Sequence, residues 1–418
     1  VSSPADAGHR ATLEALRRVI RRIEHARPIR PTPEAVEDVV GGVYEQTAAG
    51  PLLVIRHVFS IGHRHGRLPL AAALDASPAA LALIGRLDTP VAGIRDLLFL
   101  DCETTGLAGG TGTYAFLVGA GYFEDDRFVL SQFFMRDFDD EPALLAALAG
   151  LLDRRRALVT FNGSGFDMPL LETRFILARR RWPVGCDQLD LLRPARRVWA
   201  ARFADCRLAT LEREVLGVAR QADIPGELIP ALYFDFLRHR RAAPLRAVFT
   251  HNRDDVLSLV GLLGWFGAAL GGRGDVVTTP RDLAGLGRLC ERIDPERSAD
   301  YYRRALAGGL DGAEAHRVRL HLALLAKRRA EWEAACALWE EATAAVVFDL
   351  RPWEELAKYW EHRRRDHVRA CSVVARAVEL ARALGASARA LEALVHRRAR
   401  LERRLGSGGS PRDAPGVK

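Results

Sequence analysis

The chain has 418 residues and a formal net charge of +8; 49% of its residues are apolar and 27% are charged. That length suits two to four domains, and that composition excludes general disorder. The longest apolar runs, such as Ala79–Gly85 (AALALIG), fall well short of the roughly 18 residues that span a bilayer, so no membrane segment is expected.

Residues 1–10 lack the basic-then-apolar layout of a secretory signal. The six cysteines (Cys102, Cys186, Cys206, Cys290, Cys336 and Cys371) form no C-x-x-C pair. Such spacing argues against a zinc module or disulfide scaffold and for reduced thiols in a cytoplasmic protein. A basic balance favours polyanionic partners. Only Lys327, Lys358 and Lys418 among the 61 basic residues are lysines, however, a skew that fits a GC-rich genome better than selection for phosphate binding.

Residues 11–27 carry apolar residues at helical spacing, and Pro28, Pro31 and Pro33 then break the pattern. Glu34–Glu45 reads as a second short helix. Leu52–Ile61 and Arg67–Leu70 read as strands joined by a turn over Gly62–Gly66 (GHRHG), whose histidines His63 and His65, with His57, are expected in solvent rather than on a metal. From Arg95 strand and helix alternate. Strands are expected over Leu97–Asp101, Ala115–Phe123, Arg127–Phe134 and Ala157–Phe161, and helices over Glu141–Arg155 and Pro169–Arg180; after a polar turn, Asp190–Arg202, Thr210–Val215 and Leu245–Leu263 complete a mixed α/β layout. Gly271–Gly274 (GGRG) marks a boundary.

Beyond Pro280 nearly everything reads as helix. Asp300–Leu306, Ala334–Thr343 and Arg369–Val378 resemble one another and recur at about 35–37 residues, near the tetratricopeptide period. The last copy opens with Trp353, Leu356, Ala357 and Trp360, close to the W-x-x-L-G-x-x-Y outline. Trp339, Trp353 and Trp360 are expected to pack between helices.

Three segments carry the chemistry. In Phe99–Leu107 (FLDCETTGL), Asp101 and Glu103 stand two apart at the end of an apolar strand, so both carboxylates share a face and invite a hard divalent cation. In Thr160–Leu171 (TFNGSGFDMPLL), Asp167 opens a helix, where an N-terminal cap would explain it equally well. In His251–Leu259 (HNRDDVLSL), His251 and Asp255 share one helical face, while Asn252 and Asp254 point elsewhere. Asp190 is read as positional. Ala108–Gly112 (AGGTG) lacks the Lys of a phosphate-binding loop and reads as a loop over the site. Arg196, Trp199 and Phe203 are placed on one helical face, either to meet phosphates and a base or to pack inward.

Asp-x-Glu, a lone Asp after F-N-G-x-x-F, and His-x-x-x-Asp, in that order, resemble the DEDD superfamily of 3′–5′ exonucleases. The long run F-L-D-C-E-T-T-G-L-A-G-G-T-G-T-Y-A-F-L-V-G, the D-I-P-G of Asp223–Gly226 and H-N-R-D-D-V resemble its YprB-type subgroup, which joins such a domain to tetratricopeptide-like repeats. The resemblance implies an α/β ribonuclease-H-like mixed sheet with flanking helices over 93–272. Around it would lie N-terminal helices and a small β region over 1–92, an all-α helical-repeat domain over 281–405 and a flexible tail over 406–418.

It further implies that Asp101, Glu103, Asp167 and Asp255 bind two Mg²⁺ or Mn²⁺ ions, with His251 as general base. Better-known relatives place Tyr four residues, or His five, before the last Asp; here His stands four before it. Thr104, Thr105, Gly106, Asn162 and Phe166 would meet the terminal nucleotide. The implied activity is a metal-dependent nuclease acting on nucleic acid, DNA or RNA, at single-stranded ends, with the repeats recruiting a protein partner. A non-catalytic adaptor and a structure-specific endonuclease are the competing readings. Because every candidate ligand precedes Gly271, residues 281–405 are expected to be dispensable for hydrolysis.

Overall fold

A computed structural model of the chain describes residues 34–85, 93–106, 111–182, 187–220, 223–273, 276–345 and 348–407. The helix expected over 11–27 lies outside them. Within the described residues the chain forms two compact units: one over 34–70, 94–188 and 218–260, the other over 71–93, 189–217 and 261–407.

The first unit is built on a mixed sheet. Its strands are β1 (Val43–Thr47), β2 (Gly50–Ser60), β5 (Leu97–Thr104), β6 (Ala115–Glu124), β7 (Arg127–Phe134), β8 (Ala157–Thr160) and β9 (Asp187–Asp190), in the order β1-β2-β7-β6-β5-β8-β9. The pairs from β1 through β5 are antiparallel, and β5 with β8 is parallel. β5, β6, β7 and β8 are buried on both faces, which is why their sequences read as continuous apolar runs. A separate ribbon pairs β3 (Arg64–His65) with β4 (Leu68–Pro69).

Several expectations are corrected here. Glu34–Glu45 is not one helix. Helix α1 (Val36–Val40) ends at Gly41, whose left-handed backbone (φ 76°) turns the chain so that Val43 and Tyr44, β-formers both, join β1. The GHRHG turn contains β3, and His65 is buried, its Nε2 2.7 Å from the Ser258 hydroxyl. His57 sits half-buried with Nε2 3.1 Å from Gln132 Oε1, and only His63 is exposed as expected. A strand, β9, replaces the polar turn expected before Asp190.

Helices follow from their own signals. In the second unit, α2 (Ala71–Leu74) and α3 (Pro78–Ile84) come first, α3 capped by Ser77. In the first unit lie α4 (Glu141–Leu152), with Pro142 in its first turn, and α5 (Asp167–Leu177). Next in the second unit are α6 (Leu192–Trp199), whose backbone at Leu192 donates to Asp190 Oδ1 at 3.1 Å, and α7 (Leu208–Leu211), which continues as a π-turn over Glu212–Leu216. That hydrogen bond gives Asp190 a structural part at the start of α6.

Helix α8 (Ile229–His239) forms between the expected elements Thr210–Val215 and Leu245–Leu263; its Tyr233 stacks on Phe116 at 3.9 Å. Helix α9 (Leu245–Leu270) runs further than expected and brings Asn252 and Val256 onto β6. That approach requires Gly119, where a Cβ would stand 2.4 Å from Asn252 Oδ1.

The second unit continues through α10 (Pro280–Cys290), α11 (Pro295–Ala307), α12 (Gly312–Arg328), α13 (Trp332–Ala342), α14 (Leu350–Lys358), a π-turn over Tyr359–Arg363, α15 (His367–Ala383) and α16 (Ala388–Ser407). Thr279, Asp294, Asp349 and Asp366 cap four of these helices by accepting a backbone N–H. The three similar segments fall largely in α11, α13 and α15, and Ala335 and Ala370 of the second and third are buried, as is Ala299 just before the first. Trp339 and Trp353 are buried between helices, as expected. Trp199 is fully buried against Trp265 and Phe266, and its indole N–H donates to Asp282 at 3.2 Å. Phe203 lies beyond the end of α6, so the proposed shared face with Trp199 does not form. Among the described residues no helix is long and apolar enough to cross a membrane.

Candidate active site

Asp101 and Glu103 project from β5, whose pairing with β6 shifts register at Glu103/Thr104. Asp167 is the first residue of α5 and follows a turn in which Asn162 is left-handed (φ 65°). His251 and Asp255 lie on α9. These five side chains, from three distant segments, line one cleft of about 490 Å³, together with Thr104, Gly106 and Phe166. Phe166 is 60% exposed at its edge.

Thr105 and Asn162 do not line the cleft. Thr105 instead closes a loop: its N–H donates to the Tyr114 carbonyl and its hydroxyl accepts from the Tyr114 N–H, both at 2.9 Å. Of the glycine-rich segment, Ala108–Gly110 lie outside the described residues; the carbonyl of Thr111 accepts from Arg174 of α5 at 2.8 Å.

Residues 98–267 match the family model of the RNase_H superfamily. Over 325 residues the chain is 32% identical to the uncharacterized protein YprB of Bacillus subtilis (strain 168), covering 75% of this chain and 76% of that protein. The chain belongs to the YprB family of ribonuclease-H-like proteins.

Within this YprB-family cleft the charges are crowded. Burial pushes the Asp101 carboxyl well above its ordinary range, and the charges of Asp255, Glu103 and Asp167 push it further. Burial raises Glu103 too, against the pull of His251 and Arg220. For His251, burial works downward, but Asp255, Glu103 and a hydrogen bond with Asp223 outweigh it, so its net shift is upward. Repulsion of this kind is what a bound cation relieves, and an all-oxygen carboxylate set suits Mg²⁺ or Mn²⁺. The donor chemistry therefore fits a hard divalent ion, although among the described residues no three His, Cys, Asp or Glu side chains already stand as a ligand set.

Sequence reasoning missed four residues here. Asn252, expected to point away, is fully buried and donates to Asp101 Oδ2 at 2.8 Å, while its own Oδ1 accepts from Gln132 at 2.9 Å. Gln132 also donates to the Phe249 carbonyl at 2.8 Å, so a buried polar chain holds the first carboxylate in place. Asp223, quoted only as part of D-I-P-G, sits with Oδ1 2.7 Å from His251 Nδ1. Arg220 bonds to Asp255 and approaches His251 Nδ1 at 3.2 Å and Asp223 at 3.4 Å. The D-I-P-G motif was a signal for Asp223; nothing local marks Asn252, Gln132 or Arg220.

Proposed function

We propose that the chain is a metal-dependent 3′–5′ exonuclease. Ribonuclease-H-like proteins are generally hydrolytic nucleases that use divalent metals, and nucleic acid is the substrate the superfamily implies. The observation that carries the finer reading is the gathering of four carboxylates and one imidazole from three segments in one cleft. Asp101, Glu103, Asp167 and Asp255 would hold Mg²⁺ or Mn²⁺. When bound, such ions polarise the phosphate and acidify the attacking water.

The chain's own groups then do the following. Asp223 accepts from His251 Nδ1–H and leaves Nε2 to take the proton of the water. Asn252 and Gln132 fix the Asp101 carboxylate. The exposed ring of Phe166 offers a stacking platform for the terminal base, with Thr104 and Gly106 at the backbone of that nucleotide. We place this catalytic domain over 93–272, after an N-terminal region over 1–92. Residues 281–405 are proposed as a tetratricopeptide-like array that recruits a protein partner, with 406–418 as a tail.

End-labelled single- and double-stranded DNA and RNA, incubated with Mn²⁺ or with a chelator, test the assignment. The expected result is a ladder shortening from the 3′ end in Mn²⁺ only, reduced at least about a hundredfold by Asp101→Asn or Asp167→Asn with the fold retained. Cutting of a circular single strand would favour the endonuclease. No hydrolysis of any substrate in Mn²⁺ would leave the non-catalytic adaptor.

A further inference from the structure

Far along the sequence from the cleft, one buried acid gathers an unusual number of cations. Glu361 lies in the π-turn Tyr359–Arg363, and its side chain is wholly buried. Arg397, Arg400 and Arg404, on successive turns of α16, all donate to it: Arg400 to both oxygens at 2.9 and 2.6 Å, Arg404 at 2.9 Å and Arg397 at 3.2 Å. Four such bonds use the acceptor capacity of one carboxylate. Three guanidinium charges therefore face one negative charge, and the guanidiniums remain partly open to solvent, Arg400 at 38% and Arg404 at 50%. The Arg400 Nε is buried and has no hydrogen-bond partner among the described residues.

The surroundings add to the excess. Arg363, Arg364 and Arg365 are exposed beside Glu361 in sequence, and Arg398 and Arg403 are exposed on α16. Residues 361–366 and 397–404 hold eight arginines against Glu361, Asp366 and Glu402, a net +5, which leaves only +3 for the other 404 residues of the chain. The Arg-rich composition alone does not account for this, because acids elsewhere nearly match it.

We propose that this arginine cluster binds the phosphodiester backbone of a nucleic-acid strand. Glu361 acts as an internal anchor that holds three guanidiniums in place before a ligand arrives. Planar guanidinium forks pair with phosphate oxygens through two bonds at once, and such contacts are strengthened by charge. Arg397 and Arg404 lie seven residues apart, about 10 Å along the helix axis, so the row can follow more than one phosphate. Nucleic acid is the polyanion that membership of the ribonuclease H superfamily brings to this chain. The proposal stands apart from the nuclease reading, since a strand could be held here whether or not the cleft cuts it.

The test is fluorescence anisotropy of the full-length chain with a labelled single-stranded oligonucleotide, in chelator to prevent hydrolysis, across a series of salt concentrations. Arg364, Arg398 and Arg403 are replaced together by Ala, because none of them bonds to Glu361. Thermal melting checks that the fold survives, and a triple Lys variant restores the charge. The Ala variant should bind about tenfold more weakly or worse, with a log–log salt slope shallower by about 2, and the Lys variant should recover the slope. Unchanged affinity and slope in the Ala variant would overturn the proposal. So would a loss confined to polyglutamate or to phosphatidylserine vesicles, which would assign the cluster to an acidic protein or a lipid surface.

Discussion

His65 shows how a single side chain changes meaning with burial. Loss of water lowers its pKa from 6.5 to about 4, and its Nε2 is already engaged with Ser258. Between those values an unfolded chain takes up a proton that the folded chain refuses, so stability falls as pH drops through this window. The loss amounts to about 3 kcal/mol at the acid end. His65→Gln cannot titrate and should flatten that dependence; denaturant melts of both proteins across the window check it, and parallel curves would mean His65 is not held neutral. At the same scale, Asp101 depends on a neighbour that no local pattern reveals. Asn252 meets it, with Gln132 bonded to Asn252 in turn, only because α9 lies across β6 and β7.

At the scale of elements, close approach depends on missing side chains. In the second unit, Gly285 of α10 sits against the backbone of α6, where a Cβ would stand 2.3 Å from the Val198 carbonyl oxygen and 2.7 Å from its Cα. Backbone cannot yield as a side chain can, so Gly285→Ala should force the two helices apart at a cost of about 3 kcal/mol. Gly150 of α4 has nothing within 4 Å of its ideal Cβ. There the same substitution should stabilise, by about 0.5–1 kcal/mol, through helix propensity and a less flexible unfolded chain. Opposite signs in chemical denaturation are expected; equal effects would show that the α6–α10 contact is looser than described.

At the scale of the molecule, the expectation that residues 281–405 are dispensable meets a physical obstacle. The second unit takes in 189–217 as well as 261 onwards, and Trp199 is fully buried with its N–H on Asp282. Arg202 also donates to both oxygens of Asp282, at 2.6 and 2.7 Å. A chain stopped at Gly271 loses Asp282, which uncovers that indole and leaves the Arg202 guanidinium without its carboxylate. It should melt lower than the full chain by about 10 °C or more, or fail to fold. A shortened protein that melts like the full one and still hydrolyses would show that the segment before Gly271 stands alone.

The strands of the central sheet were legible because burial on both faces writes an apolar run into the sequence, and β7 matches its expected bounds residue for residue. The carboxylates, the imidazole and their order were legible as well, since each motif is local: two acids on one strand face, one at a helix start, and a pair one helical turn apart. Segments that carry no periodic signal of their own were not legible. Val43–Thr47 becomes a strand only because β2 is there to pair with it, and Asp187–Asp190 only because it adds a strand to the sheet beside β8. Partnerships across the chain were equally hidden: Asn252 with Asp101 over 151 positions, His65 with Ser258 over 193, and three arginines of one helix on Glu361. Local spacing determines which groups share a face; only packing decides which faces meet, because the burial that makes a polar contact necessary does not exist until the sheet and helices have closed around it.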